Sequence, residues 1–92
     1  MEKAKFVLGQ LVATPGALKA LEEAGQNPLE FVSRHQQGDW GDLTEEDKKE
    51  NEFSVPRQLR ILSAYTLTTG VKIWVITEAD RSVTTLLLPE DY

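Results

Sequence analysis

Between Leu59 and Leu88 apolar residues recur at every second position in three runs, a pattern that one face of a helix cannot bury and one face of a strand can. Leu59, Ile61, Ser63, Tyr65 and Leu67 share one side of the first run, and Thr68-Thr69-Gly70 turns the chain. Val71, Ile73 and Val75 alternate with Lys72, Trp74 and Ile76, Glu78-Ala79-Asp80-Arg81 makes the next turn, and Ser82 to Leu88 is a last run closed by Pro89. Consecutive strands joined this tightly pair antiparallel, which predicts a three-stranded meander. Bulky residues on both sides of the second and third runs predict a sheet covered by helices on one face and partly covered on the other.

The first half of the chain has the opposite grammar. Phe6 to Val12 is apolar and β-branched enough for a strand, with Gly9 marking a bulge or a close backbone approach. Thr14-Pro15 reads as an N-cap with proline in the first helical turn, and Ala17, Leu18, Leu21 and Ala24 recur at helical spacing before Gly25. Asn27-Pro28 repeats the start signal, with Glu30 three residues on to close a capping box. Leu29, Val32 and Phe31 supply the apolar side of that second helix, and His35 borders it before Gly38. Gly38-Asp39-Trp40-Gly41-Asp42 is a loop. Thr44 then caps an acidic third helix running to about Phe53, with only Leu43 and Phe53 as apolar contacts, and Val55-Pro56 ends it. The expected fold class is α+β: an N-terminal strand, two to three short helices, then the meander packed against them. The first strand either joins the sheet beside the meander or forms an exposed edge.

At 92 residues there is material for one domain with one core, and no apolar run approaches a bilayer span. The basic start Met1 to Lys5 is followed by too short an apolar stretch for a signal peptide, so a cytoplasmic location is expected. The absence of cysteine removes disulfides, thiolate zinc sites and cysteine nucleophiles together. Ten basic against fifteen acidic residues give a net charge of −5, which disfavours nucleic acid as a partner and leaves a protein partner as the expectation. An open sheet also leaves unpaired backbone at its edge, so the chain is read as a monomer or a homodimer joined there.

Few side chains can carry chemistry. His35, the single imidazole, is the natural acid/base candidate, and its plainer role is a helix-end group satisfying last-turn carbonyls. No serine has a nucleophile-elbow context, and the acids from Asp39 to Asp47 lack the spacing of a calcium loop, so no metal is assigned. No cofactor motif is present either. Trp40, framed by glycines and by Asp39 and Asp42, either anchors its loop in the core or offers itself to a partner. Arg81 with Thr84 or Thr85 has the chemistry of a phosphate or carboxylate clamp, against the plainer account of a solvated turn in which Asp80 bonds nearby amides.

Gly38-Asp39-Trp40-Gly41-Asp42, Ser63-Ala64-Tyr65 and Lys72 through Ser82 with Thr84-Thr85 and Leu88-Pro89 resemble small bacterial proteins labelled plasmid-related or hypothetical, some of which carry an inherited restriction-modification label. The resemblance implies a cytoplasmic protein of a mobile element or genome with no assigned activity. A methyltransferase or endonuclease role is not supported, since the chain lacks a glycine-rich cofactor loop. Helices followed by a meander also look like the barnase-like and RelE-like ribonuclease toxins. That analogy implies His35 and Glu78 as base and acid in either order, Arg81 on the phosphate and Thr84 beside it. Two functions therefore stand: a non-enzymatic interaction module using Asp39, Trp40, Asp42, Arg81 and Thr85, and a small metal-independent hydrolase using His35, Glu78, Arg81 and Thr84.

Overall fold

A computed structural model describes residues 4–92, and the first part of the basic N-terminal start lies outside the described residues. The chain runs β1 (Gln10–Ala13), α1 (Pro15–Ala24), α2 (Pro28–Gln36), α3 (Glu45–Ser54), a short 3-10 turn, β2 (Ile61–Thr66), β3 (Lys72–Thr77), β4 (Val83–Leu87) and a final 3-10 turn. The α+β class and the N-terminal strand are as the sequence implied. The meander is only part of the sheet: β2, β3 and β4 pair antiparallel, and β1 adds to β4 in parallel, giving a four-stranded mixed sheet in the order β1-β4-β3-β2. The first strand thus both joins the sheet and forms its edge. The three helices together with β2 and β3 make the long connection that separates β1 from its parallel neighbour β4.

Local signals act as their chemistry dictates. Thr14 Oγ1 accepts from Ala17 N, Asn27 Oδ1 from Leu29 N and Thr44 Oγ1 from Asp47 N, so each helix begins at a capped residue. Gly25 ends α1 in the left-handed conformation. The capping box expected of Glu30 is replaced by a bond from Gln26 Nε2 to the Glu30 carboxylate.

Ala17, Leu21, Phe31 and Val32 of α1 and α2 cover the sheet face formed by Tyr65, Leu67, Ile73, Val75 and Leu86. α3 sits at the other end of the sheet, where Asn51 Nδ2 donates to Leu62 O and Asn51 Oδ1 accepts from Leu62 N. This side chain satisfies outward-facing groups of the β2 edge, which explains a buried asparagine in an otherwise polar helix. Leu18, Leu29, Phe53 and Leu59, expected on buried stripes, are 49%, 60%, 50% and 45% exposed. Leu18 and Leu29 lie at helical spacing beside the apolar faces, but α1 and α2 turn Ala17, Leu21, Phe31 and Val32 onto the sheet instead, while Phe53 on α3 lies against the Arg57 guanidinium and Leu59 falls before β2 begins.

The first strand is also shorter than Phe6 to Val12. Gly9 adopts φ +67°, and a Cβ there would lie 2.3 Å from Ser82 O, so the chain bends away from the sheet where it presses on the β3–β4 turn. Phe6 leaves the strand direction and packs between the helices and the Trp40 loop.

Candidate functional site

A buried line of hydroxyl and imidazole groups crosses the helix-facing side of the sheet. Alternation places Ser63 on β2, Thr77 on β3 and Thr84 on β4 along one face, and His35 in the last turn of α2 projects onto them. All four are fully buried. His35 Nδ1 lies 2.6 Å from Ser63 Oγ and Nε2 lies 2.9 Å from Thr77 Oγ1. Thr77 Oγ1 is 2.7 Å from Thr84 Oγ1, and Thr84 Oγ1 donates to Leu8 O at 2.8 Å.

The proton positions follow from the far end. Leu8 O can only accept, so Thr84 spends its proton there and must accept from Thr77. Thr77 then has no proton left for the ring, so His35 Nε2 carries the hydrogen and donates it. Nδ1 is left as an acceptor, and Ser63 Oγ–H supplies its bond. The ring is therefore a neutral Nε2–H tautomer with both nitrogens satisfied. Burial, and secondarily the charge of Arg81, pushes the His35 pKa down to about 3. With no exposed surface and both nitrogens bonded to Ser63 and Thr77, the ring offers neither nitrogen to a substrate in this arrangement. Ser63 meets a neutral ring with no carboxylate behind it, so no Ser-His-Asp triad forms here.

Phe6 closes the space beside His35. Its ring centroid is 5.1 Å from the imidazole in an edge-on arrangement and 6.2 Å from the Trp40 ring in a stacked one. The Arg81 guanidinium carbon stands 5.7 Å from the same ring. The Trp40 loop, His35 and the Asp80–Thr85 segment therefore do converge, but around an aromatic plug and not a pocket.

Trp40 is 4% exposed, with Nε1 donating to Glu52 Oε2 at 2.7 Å, so it anchors its loop and is no surface contact. Asp39 accepts from Arg34 Nε at 2.7 Å and from Gly41 N, and its carboxyl is held below the usual range chiefly by the Arg34 hydrogen bond. Asp42 accepts from Thr66 Oγ1. Gly41, at φ +77°, lets the loop run against β2, where Ala64 N donates to Trp40 O and Ala64 O accepts from Asp42 N. A Cβ at Gly41 would lie 1.9 Å from Ala64 O. The β2 edge is closed by this loop together with Asn51.

Arg81 is a structural clamp. Nη1 donates to the carbonyls of Leu59, Glu78 and Ala79, and Nη2 to those of Ser54 and Val55. It holds the end of α3 to the β3–β4 turn and presents no free fork to an anion. The residue itself adopts φ +62°, next to Asp80 Oδ1, which accepts from Ser82 N and Ser82 Oγ, as the plain turn reading had it. Glu78 contributes its backbone to this clamp and is half-buried, while Thr85 points to the opposite sheet face from Thr84. The residues set aside for catalysis and binding are thus mostly spent on internal bonds. Phe6, Asn51 and Thr77, which complete the arrangement, carried no sequence signal beyond a polar or aromatic residue in an unexpected place.

What faces outward is of two kinds. Behind the sheet, Leu43, Asp47, Glu50, Arg60, Leu62 and Trp74 line a cleft of about 420 Å³. There Arg60 stacks on and bonds to Tyr92, whose ring meets Trp74 edge-on, so Trp74 lies between a C-terminal aromatic and the α3 side of the cleft. On the helix side, Leu11, Ala13, Leu18, Leu29, Val32 and Leu86 line a more apolar groove of about 320 Å³ along β1. Leu11, on this face, is 42% exposed, and Val12, on the opposite face of the strand, is 38% exposed. Gln10 N donates to Ser82 O and Thr14 N to Leu86 O, so even-numbered residues face β4, and the N–H and C=O of Leu11 and Ala13 point away from the sheet.

No helix among the described residues is long and apolar enough to cross a membrane. Comparison with known proteins finds no matching family, no matching curated protein and no matching solved structure.

Proposed function

We propose that this protein is a non-enzymatic protein-interaction module whose binding surface is the β1 edge and the apolar groove beside it. One observation carries the reading: an uncharged edge strand, Gln10-Leu11-Val12-Ala13, with outward backbone groups at Leu11 and Ala13 and exposed leucines next to it. Edges are usually blunted by lysine, proline or a covering loop, as β2 is covered here, and β1 has none of these within it. A partner segment adding as a further strand gains backbone hydrogen bonds from β1 and side-chain contacts from the groove. The binding surface lies away from Trp40, Asp39 and Asp42. An accessory role on a plasmid or mobile element rests on sequence resemblance alone.

The test is a panel of extended peptides with alternating apolar residues, selected for binding to the purified protein. Binders should protect the Leu11 and Ala13 amides from hydrogen exchange and lose at least tenfold in affinity against Leu11→Lys. Binders that leave those amides exchanging as in the free protein would place recognition elsewhere and end the proposal.

A further inference from the structure

We infer that the occupant of the β1 edge is a second copy of this chain, paired antiparallel about a two-fold axis through Val12; the inference rests on the strand-addition reading above. The available ladder is short. It is bounded by Gly9, whose φ of +67° breaks the extended run, and by Pro15, which has no N–H to offer. Between them only Leu11 and Ala13 present outward groups. Two copies in antiparallel register satisfy all of them at once, Leu11 of each bonding Ala13 of the other, and no outward group of β1 is left over. A longer foreign strand would find nothing further to pair with.

The side chains match in the same register. Leu11 and Ala13 lie on the helix-facing side, since they pair with Thr84 and Leu86 of β4, so each large residue meets a small one beside the exposed Leu18 and Leu29. Val12 faces its own copy on the other side, at a non-hydrogen-bonded position where β-branched side chains approach closely. No charge lies on the strand, so the net charge of −5 is not concentrated at the axis.

The area is that of a modest interface. Leu11, Val12, Leu18 and Leu29, at 42%, 38%, 49% and 60% exposure, offer apolar area on the order of 300 Å² per copy. Roughly 600 Å² from both copies is about half the lower bound for a specific interface, so a dimer here is a weak one held in good part by its strand hydrogen bonds. Association is accordingly expected at micromolar and higher concentrations.

The chain has no cysteine, which makes the test clean. Paired Val12 Cα atoms would sit about 4.5 Å apart, within disulfide range, whereas the two Gln10 residues would lie about 13 Å apart along the strands. Sedimentation equilibrium should show a dimer fraction rising with concentration. Val12→Cys should cross-link on mild oxidation at least tenfold faster than Gln10→Cys, and Leu11→Lys should be monomeric with unchanged circular dichroism. Where Leu11→Lys lowers the folded fraction, Leu29→Lys, at an exposed position of α2, should likewise weaken the dimer. A wild-type protein that stays monomeric up to about 1 mM overturns the second-copy inference while the peptide panel still decides the strand-addition reading. A dimer that survives both lysine variants and cross-links equally at positions 10 and 12 is joined elsewhere and likewise overturns the second-copy inference, the strand-addition reading again resting on the peptide panel.

Discussion

Ser63 Oγ donates to His35 Nδ1 at 2.6 Å, binding α2 to β2 through an imidazole buried away from solvent. With Thr77 and Thr84 beyond the ring, one neutral chain of hydrogen bonds runs from β2 through α2, β3 and β4 to the N-terminal segment. Each such bond contributes about 1 kcal/mol net, and every buried side-chain nitrogen and oxygen among the described residues has a partner. The residue most suggestive of catalysis is therefore a tertiary staple.

The first prediction concerns pH. The unfolded His35 binds a proton near pH 6.5, and the folded ring, with its pKa at about 3, does not. Below pH 6.5 the unfolded state thus holds more protons, and stability falls as pH drops toward 3, by up to about 1.4 kcal/mol per pH unit. His35 is the single histidine, and the Asp39, Asp80 and Asp91 carboxyls, held below 3.8, lose their stabilising contribution only at more acid pH. Urea unfolding at pH 7, 6 and 5 should show the decline, and His35→Gln should flatten it. A wild-type His35 Cε1–H resonance that titrates between pH 5 and 7 in the folded protein would contradict the buried neutral ring.

A second prediction separates the two costs at Arg81. Loss of its carbonyl contacts should destabilise Arg81→Ala on the order of 2 kcal/mol or more. Arg81→Gly loses the same contacts but tolerates φ +62°, so it should be more stable than Arg81→Ala by about 1 kcal/mol. Thermal melts of the pair decide this. Equal stabilities would mean that the backbone conformation relaxes when the guanidinium is removed.

The third prediction is at the Trp40 loop. Trp40→Ala should cost about 3–5 kcal/mol, enough to unfold much of a small domain, because it empties a buried site and removes the indole bond to the exposed Glu52 carboxylate. Gly41→Ala should destabilise by a few kcal/mol, since its Cβ meets Ala64 O and its φ is positive. Amide exchange of Ala64 and Asp42 should rise in the Gly41 variant. Unchanged protection there would show that the loop does not depend on its contact with β2.

Features set by neighbouring residues are legible in the sequence. Caps at Thr14, Asn27 and Thr44, the left-handed Gly25, the Asp80 turn and the alternation of β2 to β4 depend on residues within a few positions of one another. Gly9 likewise announced a close backbone approach, though not which backbone it meets. The parallel pairing of β1 with β4 had no such signal, because those strands are some seventy residues apart and alternation does not encode strand direction.

The candidate site shows the division most sharply. The sequence by itself determined which groups were available: one imidazole, one glycine-framed tryptophan, one arginine in a turn and a row of hydroxyls. Only the tertiary structure decided that they face each other, with Ser63 and Thr77 reaching His35 from 28 and 42 positions away and Phe6 filling the gap. A polar side chain does chemistry or holds a fold according to whether water and a substrate can reach it. Local sequence specifies the group, and packing of distant elements specifies the access.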